Sequence, residues 1–232
     1  MKLGIIGAME SEVEVLVSCL ANKQQTEKVG SVFYEGVLNG LDVVVVRCGI
    51  GKVNAALCVQ MLCDLFAVTH VVNTGIAGSL TPELDIADLV ISRDAMYHDV
   101  NCCNFGYVPG QMPGMPVSYT ADDELVRLAF LAAEEVNPGH ARTGRVASGD
   151  LFVAEKSAKN RIIEKTGALC TEMEGAAIAH TAYRNKVPFV ILRAISDKAD
   201  DSAEMDYPTF EAIAAHRCAE VAMNMAAQLK NA

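Results

Sequence analysis

The sequence is poor in the features that announce most other functions. None of its eight cysteines forms a CxxC pair, and most lie within apolar runs such as 55–65. They read as free thiols of a reducing compartment, not as disulfides or zinc ligands. Cys102–Cys103, an adjacent pair, reads as lining something. The five histidines show no ligand spacing, so no metal or other cofactor is expected. There is no run of Lys or Arg, and the net charge of −10 opposes binding to nucleic acid or an anionic membrane surface. No apolar run reaches membrane-spanning length, and the apolar stretch in MKLGIIGAMESE is too short for a signal peptide. A cytoplasmic protein is expected. A Walker A loop and a Gly-x-Ser-x-Gly elbow are both missing. Gly49-Ile50-Gly51 has Asn54 where a dinucleotide fingerprint needs its third glycine, which leaves a tight strand-to-helix turn as the simpler reading.

What remains is an ordinary globular balance, with 51% hydrophobic and 21% charged residues in 232 positions, suited to a single domain over 1–232. Apolar runs predict strands over 2–7, 69–73, 86–92, 142–147 and 189–195. Phe33–Leu38 and Leu41–Arg47 flank Asn39-Gly40, a hairpin signal. Helices are predicted over 9–20, 52–66, 122–136 with Thr120 as N-cap, 174–184 and 208–229, the second apolar nearly all round and therefore expected to be buried. Strands alternating with helices imply an α/β fold with a mainly parallel sheet covered on both faces. Ligands of such sheets sit at the carboxyl ends of strands, where Gly7-Ala8-Met9, Thr74–Gly78 and Ser196-Asp197 fall. Residues 98–119, rich in Gly, Pro and Asn, form a loop long enough to suggest function.

Local chemistry alone leaves each carboxylate open to two readings. Glu10, Glu12 and Glu14 could simply complement a helix dipole, although Glu12 lies on the other edge of the apolar stripe from its two neighbours. Glu172 and Glu174 flank Met173 at a strand-to-helix junction, where residues two apart point in different directions. Asp197 ends an apolar strand, fit for general acid–base work but also for a turn. Arg193, inside that strand, needs a carboxylate or ligand partner. Phe105, Tyr107 and Phe152 could stack on a base or merely pack.

Six segments occur in order: Gly4-Ile-Ile-Gly-Ala-Met-Glu-Ser-Glu12, Cys48-Gly-Ile-Gly-Lys52, Asn73-Thr-Gly-Ile-Ala-Gly78, Ser148-Gly-Asp-Leu-Phe152, Glu172-Met-Glu174 and Arg193-Ala-Ile-Ser-Asp197. Together they resemble the nucleoside phosphorylase superfamily, and within it the bacterial 5'-methylthioadenosine/S-adenosylhomocysteine nucleosidases, from residue 2 to about 230. The resemblance implies a three-layer α/β/α domain with a central mixed, twisted sheet. It implies a homodimer that hydrolyses the adenine–thioribose bond of a purine thionucleoside, in methionine salvage. Glu12 would activate water, and Asp197, oriented by Ser196, would protonate adenine N7. Glu174 would hold the ribose hydroxyls with Met173 on the sugar, and Arg193 would help hold the water. Phe152 would stack on adenine while the Val153 backbone reads its edge, and Ala77, Gly78 and Glu172 would complete the wall. Met9, Ile50 and Tyr207 would line the 5' pocket with Cys102, Phe105 and Pro113 of a partner subunit. Two positions depart from the usual pattern: Ile76 replaces a serine, and Cys102 an aliphatic residue. The alternatives are a phosphorylase on the same fold, a hydrolase of a modified nucleoside such as aminodeoxyfutalosine, and a nucleoside-binding protein without catalysis.

Overall fold

The computed structural model describes residues 1–200 and 202–231. Its first strand shows why the chain reads as continuous apolar runs. In β1 (Lys2–Gly7) Leu3 and Ile5 face one hydrophobic cluster and Ile6 the other; in β4 (Leu41–Arg47) Val43 and Val45 oppose Val44 and Val46 in the same way. Both faces are covered, so alternation between polar and apolar residues disappears. One cover contains α1 (Glu10–Ser18), α3 (Asp123–Val136) and α6 (Ala203–Asn231), and the other α2 (Lys52–Phe66) and α5 (Gly175–Asn185). The short α4 (Lys156–Thr166) packs Ala158 and Ile162 into a third cluster.

Ten strands among the described residues form one mixed sheet. Its open half runs β1–β4–β3–β2, with β3 at Ser31–Leu38 and β2 at Ala21–Lys28. The other half closes on itself. β5 (His70–Ser79) pairs with β1 and β10 (Phe189–Asp197) in parallel, and with β9 (Cys170–Glu172) antiparallel. β6 (Leu89–Tyr97) and β8 (Ala141–Ser148) complete the ring between β10 and β9, and the two-residue β7 (Tyr119–Thr120) joins the edge of β6. The central sheet is therefore mixed, as the family resemblance implied, and half of it is a small closed barrel.

Several local expectations are corrected. β2, with the sequence ANKQQTEK, is almost wholly exposed, and α4 buries only three of its residues; neither carries an apolar pattern. β5 does not stop at Asn73 but continues through the glycines to Ser79. β6 lies three residues beyond its predicted start and runs on to Tyr97. Thr120 belongs to β7, while Asp122 caps α3, its Oδ1 accepting from the Glu124 and Leu125 amides at 3.1 and 3.0 Å. α6 starts five residues before the expected Pro208, which lies inside it, so Tyr207 is helical. α2 is not buried all round: Val53, Leu57 and Leu65 are exposed. The long loop exists, with only a single 3₁₀ turn at Cys103–Phe105. No helix among the described residues is long and apolar enough to cross a membrane.

Candidate active site

A cavity of about 490 Å³ opens at the carboxyl ends of β1, β5 and β10. Three backbone details put carboxylates there. The turn after β1 brings Glu12 to the first turn of α1, where its side chain folds back onto the strand end instead of facing solvent. Its Oε2 accepts from the Ala8 and Met9 amides at 2.6 and 3.0 Å, and its Oε1 from the Ile76 amide at 3.0 Å. Gly75 makes this approach possible, since a Cβ there would lie 2.5 Å from Glu12 Oε1. A bulge in β10 leaves Ser196 unpaired between the Ile195–Ala77 and Asp197–Gly78 positions and re-aims the strand end. Asp197 Oδ1 then accepts from the Ala199 amide at 2.7 Å and Oδ2 from Ser196 Oγ at 2.8 Å. A Cβ at Gly78 would stand 2.7 Å from Asp197 Oδ1.

The other two carboxylates come from the β9–α5 junction. Glu172 caps α5, accepting from the Glu174 and Gly175 amides at 3.0 and 2.7 Å, and takes a further hydrogen bond from Ser148 Oγ. Arg193 Nη2 meets its Oε2 at 2.5 Å. Glu174 itself, the N-cap residue, accepts from the Gly51 amide at 2.8 Å. Arg193 is 1% exposed and does not line the cavity. Its guanidinium stands behind the wall, donating to Glu172, to Asn73 Oδ1 at 2.5 Å and to the Leu192 carbonyl at 2.9 Å.

Of the predicted wall, Met9, Glu12, Ile50, Ile76, Ala77, Gly78, Phe152, Glu172, Met173, Glu174, Ser196, Asp197 and Tyr207 all line this cavity. Val153 lines a small adjoining hollow with Phe152 and Met173. Ala8 and Thr171 also face the cavity, beyond the side chains the family resemblance implies. The strand-end glycine before Ala8 pointed to it, but nothing in the sequence distinguished Thr171. Phe152 meets Tyr207 edge to face at 5.5 Å, and Tyr207 Oη donates to Met9 Sδ at 3.1 Å, so these side chains frame the mouth. Cys102, Phe105 and Pro113 do not reach the cavity of their own chain; Phe105 is 81% exposed.

Four carboxylates and one guanidinium in so small a volume cannot all be ionised. Burial, opposed mainly by Arg193, raises Glu12 above the ordinary carboxylate range. Burial likewise raises Asp197, against its hydrogen bonds from Ala199 and Ser196. Burial and then repulsion by Glu172 push Glu174 up to about 8. Glu172 alone is held low, because Arg193 and its hydrogen-bond donors outweigh burial. The cavity can thus hold protons on three carboxyl groups beside one fixed ion pair.

The model of the phosphorylase superfamily matches residues 2–227. The chain belongs to the phosphorylase superfamily. Among its members, a Staphylococcus carnosus protein named 5'-methylthioadenosine/S-adenosylhomocysteine nucleosidase is 41% identical over 226 residues, covering 96% of this chain and 98% of the relative. The Neisseria meningitidis nucleosidase of the same name, solved with methylthio-immucillin-A, superposes with a TM-score of 0.96 at 36% identity, over 98% of this chain and 99% of that one. The futalosine hydrolase of Helicobacter pylori superposes with a TM-score of 0.93 at 32% identity, over 98% of both chains.

The raised Glu174 has a consequence for stability. Its ordinary value is 4.5 and its folded value about 8. In that window the folded chain keeps a proton that the unfolded chain releases, so the contribution is full at low pH and lost as pH rises to about 8. The melting temperature of the ligand-free protein should fall across this window, and Glu174→Gln should make the fall shallower. An unchanged slope in that variant contradicts the assignment.

Proposed function

We propose that the chain hydrolyses the N-glycosidic bond of 5'-methylthioadenosine and S-adenosylhomocysteine, and also of 5'-deoxyadenosine, releasing adenine and the sugar. The observation that carries this reading is the pairing of Glu12 and Asp197 across one cavity, each fixed by directional hydrogen bonds and each raised by burial. Glycosidic cleavage passes through an oxocarbenium-like state, which requires an acid on the leaving group and a nucleophile behind C1'. Adenine is a poor anion, so Asp197 in its protonated form supplies N7 with a proton as the bond stretches, and Ser196 fixes the carboxyl orientation. Glu12, in its ionised form, takes the proton of the attacking water. Three amide donors and the positive charge of Arg193 favour that ionised form against burial.

Glu174 accepts from the ribose hydroxyls, Met173 packs on the sugar, Phe152 stacks on adenine and Val153 reads its edge. The guanidinium of Arg193, buried against Glu172, acts here through its charge and not by touching the water. Ile76 holds Glu12 through its amide and presents an aliphatic side chain to the cavity, which keeps the base in dry surroundings. Methionine salvage would be the metabolic setting, and the cytoplasm the compartment.

Phosphorolysis needs a cradle for a dianion, built from arginine or backbone donors. The lining contains Glu12, Glu172, Glu174 and Asp197 but neither Lys nor Arg, which favours water as the nucleophile. The working unit proposed is a homodimer. Val53 and Leu57 of α2, Tyr183 of α5, and Val108 and Met112 of the long loop leave exposed apolar surface of the kind that marks interfaces. A second copy there would carry Cys102, Phe105 and Pro113 to the mouth, where Ile50 is 53% exposed.

Adenine should appear from methylthioadenosine in phosphate-free buffer together with free thioribose; strict phosphate dependence contradicts hydrolysis. Aminodeoxyfutalosine, which also carries adenine, run in the same assay ranks the alternative substrate. Glu12→Gln and Asp197→Asn should still bind methylthioadenosine but lose about 10²–10⁴-fold in kcat, and near-normal turnover in either removes its assigned role. Sedimentation velocity should give a dimer that Val53→Asp/Leu57→Asp dissociates; a wild-type monomer contradicts the proposed assembly.

A further inference from the structure

Glu174 sits against the cavity with one fixed polar contact among the described residues, the Gly51 amide. That amide belongs to the turn that opens α2, and the residue at the turn has φ +100°, a backbone state suited to glycine. Gly51 supplies no side chain to cap the helix. The next amide, Lys52 N–H, is met from outside the cavity by Asp150 Oδ1 at 2.9 Å. Two consecutive amides of one turn thus point to two carboxylates, Glu174 on the cavity side and Asp150 on the other.

Asp150 is itself held in a cluster. Its amide donates to Asp99 Oδ2 at 3.0 Å, Lys52 Nζ meets the same oxygen at 2.5 Å, and Lys52 Nζ lies 3.7 Å from Asp150 Oδ2. Lys52 also sits 5.4 Å over the Tyr97 ring. A Cβ at Gly149 would run into His98 and Asp99, so the β8 loop packs directly on this cluster. The cluster joins the end of β6, the β8 loop that carries Phe152, and the start of α2.

We infer that Lys52, Asp99 and Asp150 form a positioning cluster for substrate binding, which acts by fixing the Gly51 turn and through it the Glu174 carboxylate. None of the three lines the cavity, so none touches substrate. Rotation of the turn moves the Gly51 amide, and Glu174 loses the contact that aims it. Glu12 and Asp197 are anchored to other amides and keep their geometry. The inference rests on the nucleosidase reading in assigning the sugar to Glu174.

Asp150→Ala removes the acceptor for Lys52 N–H, whereas Asp150→Asn keeps an Oδ1 in place. The expected result for Asp150→Ala is a KM for methylthioadenosine raised by about tenfold, with kcat and its pH profile within about twofold of wild type. Asp150→Asn should recover most of the loss. In a Glu174→Ala background, Asp150→Ala should add little, because both changes remove the same contact. A fall in kcat at unchanged KM, no recovery by asparagine, or full additivity with Glu174→Ala overturns the inference. Equilibrium binding of methylthioadenosine to Glu12→Gln, with and without Asp150→Ala, reads the same displacement without turnover. Weakened binding by Asp150→Ala when the wild type fails to hydrolyse leaves the positioning cluster standing and removes the hydrolase reading; unchanged binding removes the cluster, and no binding at all removes both.

Discussion

Arg193 and Glu172 form an ion pair in which neither side chain is more than 3% exposed, and the cavity is organised around it. Burying a charged pair is costly unless the remaining lone pairs and protons are satisfied. Glu172 meets that condition with four donors from β8, the β9–α5 turn, α5 and β10. One carboxylate thereby ties together the strands that close the barrel and the helix that carries Glu174. With Glu172 fixed as an anion and Arg193 as a cation, burial still outweighs the charge of Arg193 at Glu12 and Glu174, and the hydrogen bonds at Asp197, and each of the three is raised. The four carboxyl groups thus divide into one fixed anion, Glu172, and three groups raised by burial.

The room for these groups comes from residues with no side chain. Gly75 and Gly78 lie inside a buried strand, where glycine ordinarily weakens pairing. Their missing Cβ atoms leave space for Glu12 and Asp197 respectively. The bulge at Ser196 works in the same direction. Local departures from regular strand structure are concentrated where the chemistry is, as expected when function is built at some expense to local stability.

How much was legible in the sequence follows from this layout. Strands covered on both faces show as unbroken apolar runs, and β1, β4 and β10 were readable for that reason. β2 and α4 were not, because edge strands and surface helices of mostly polar residues carry no contrast. Asp197 could be suspected from its place at a strand end. Glu12 could not be separated from a dipole-complementing residue, because what distinguishes it is the Ile76 amide, 64 positions away. An arginine inside an apolar strand needs a partner, but the seclusion of Arg193 behind the wall depends on Asn73 and Glu172 meeting in space. α2 reads as apolar nearly all round, and composition alone does not tell a buried helix from one that leaves Val53, Leu57 and Leu65 exposed.

The proposed hydrolysis requires Asp197 to carry a proton at neutral pH while Glu172 stays ionised. Infrared difference spectra in the carboxyl region, wild type minus Asp197→Asn at pH 7, test this directly. A protonated carboxylic acid band lost in the variant is the predicted result. A difference confined to the ionised carboxylate bands would contradict Asp197 as the acid.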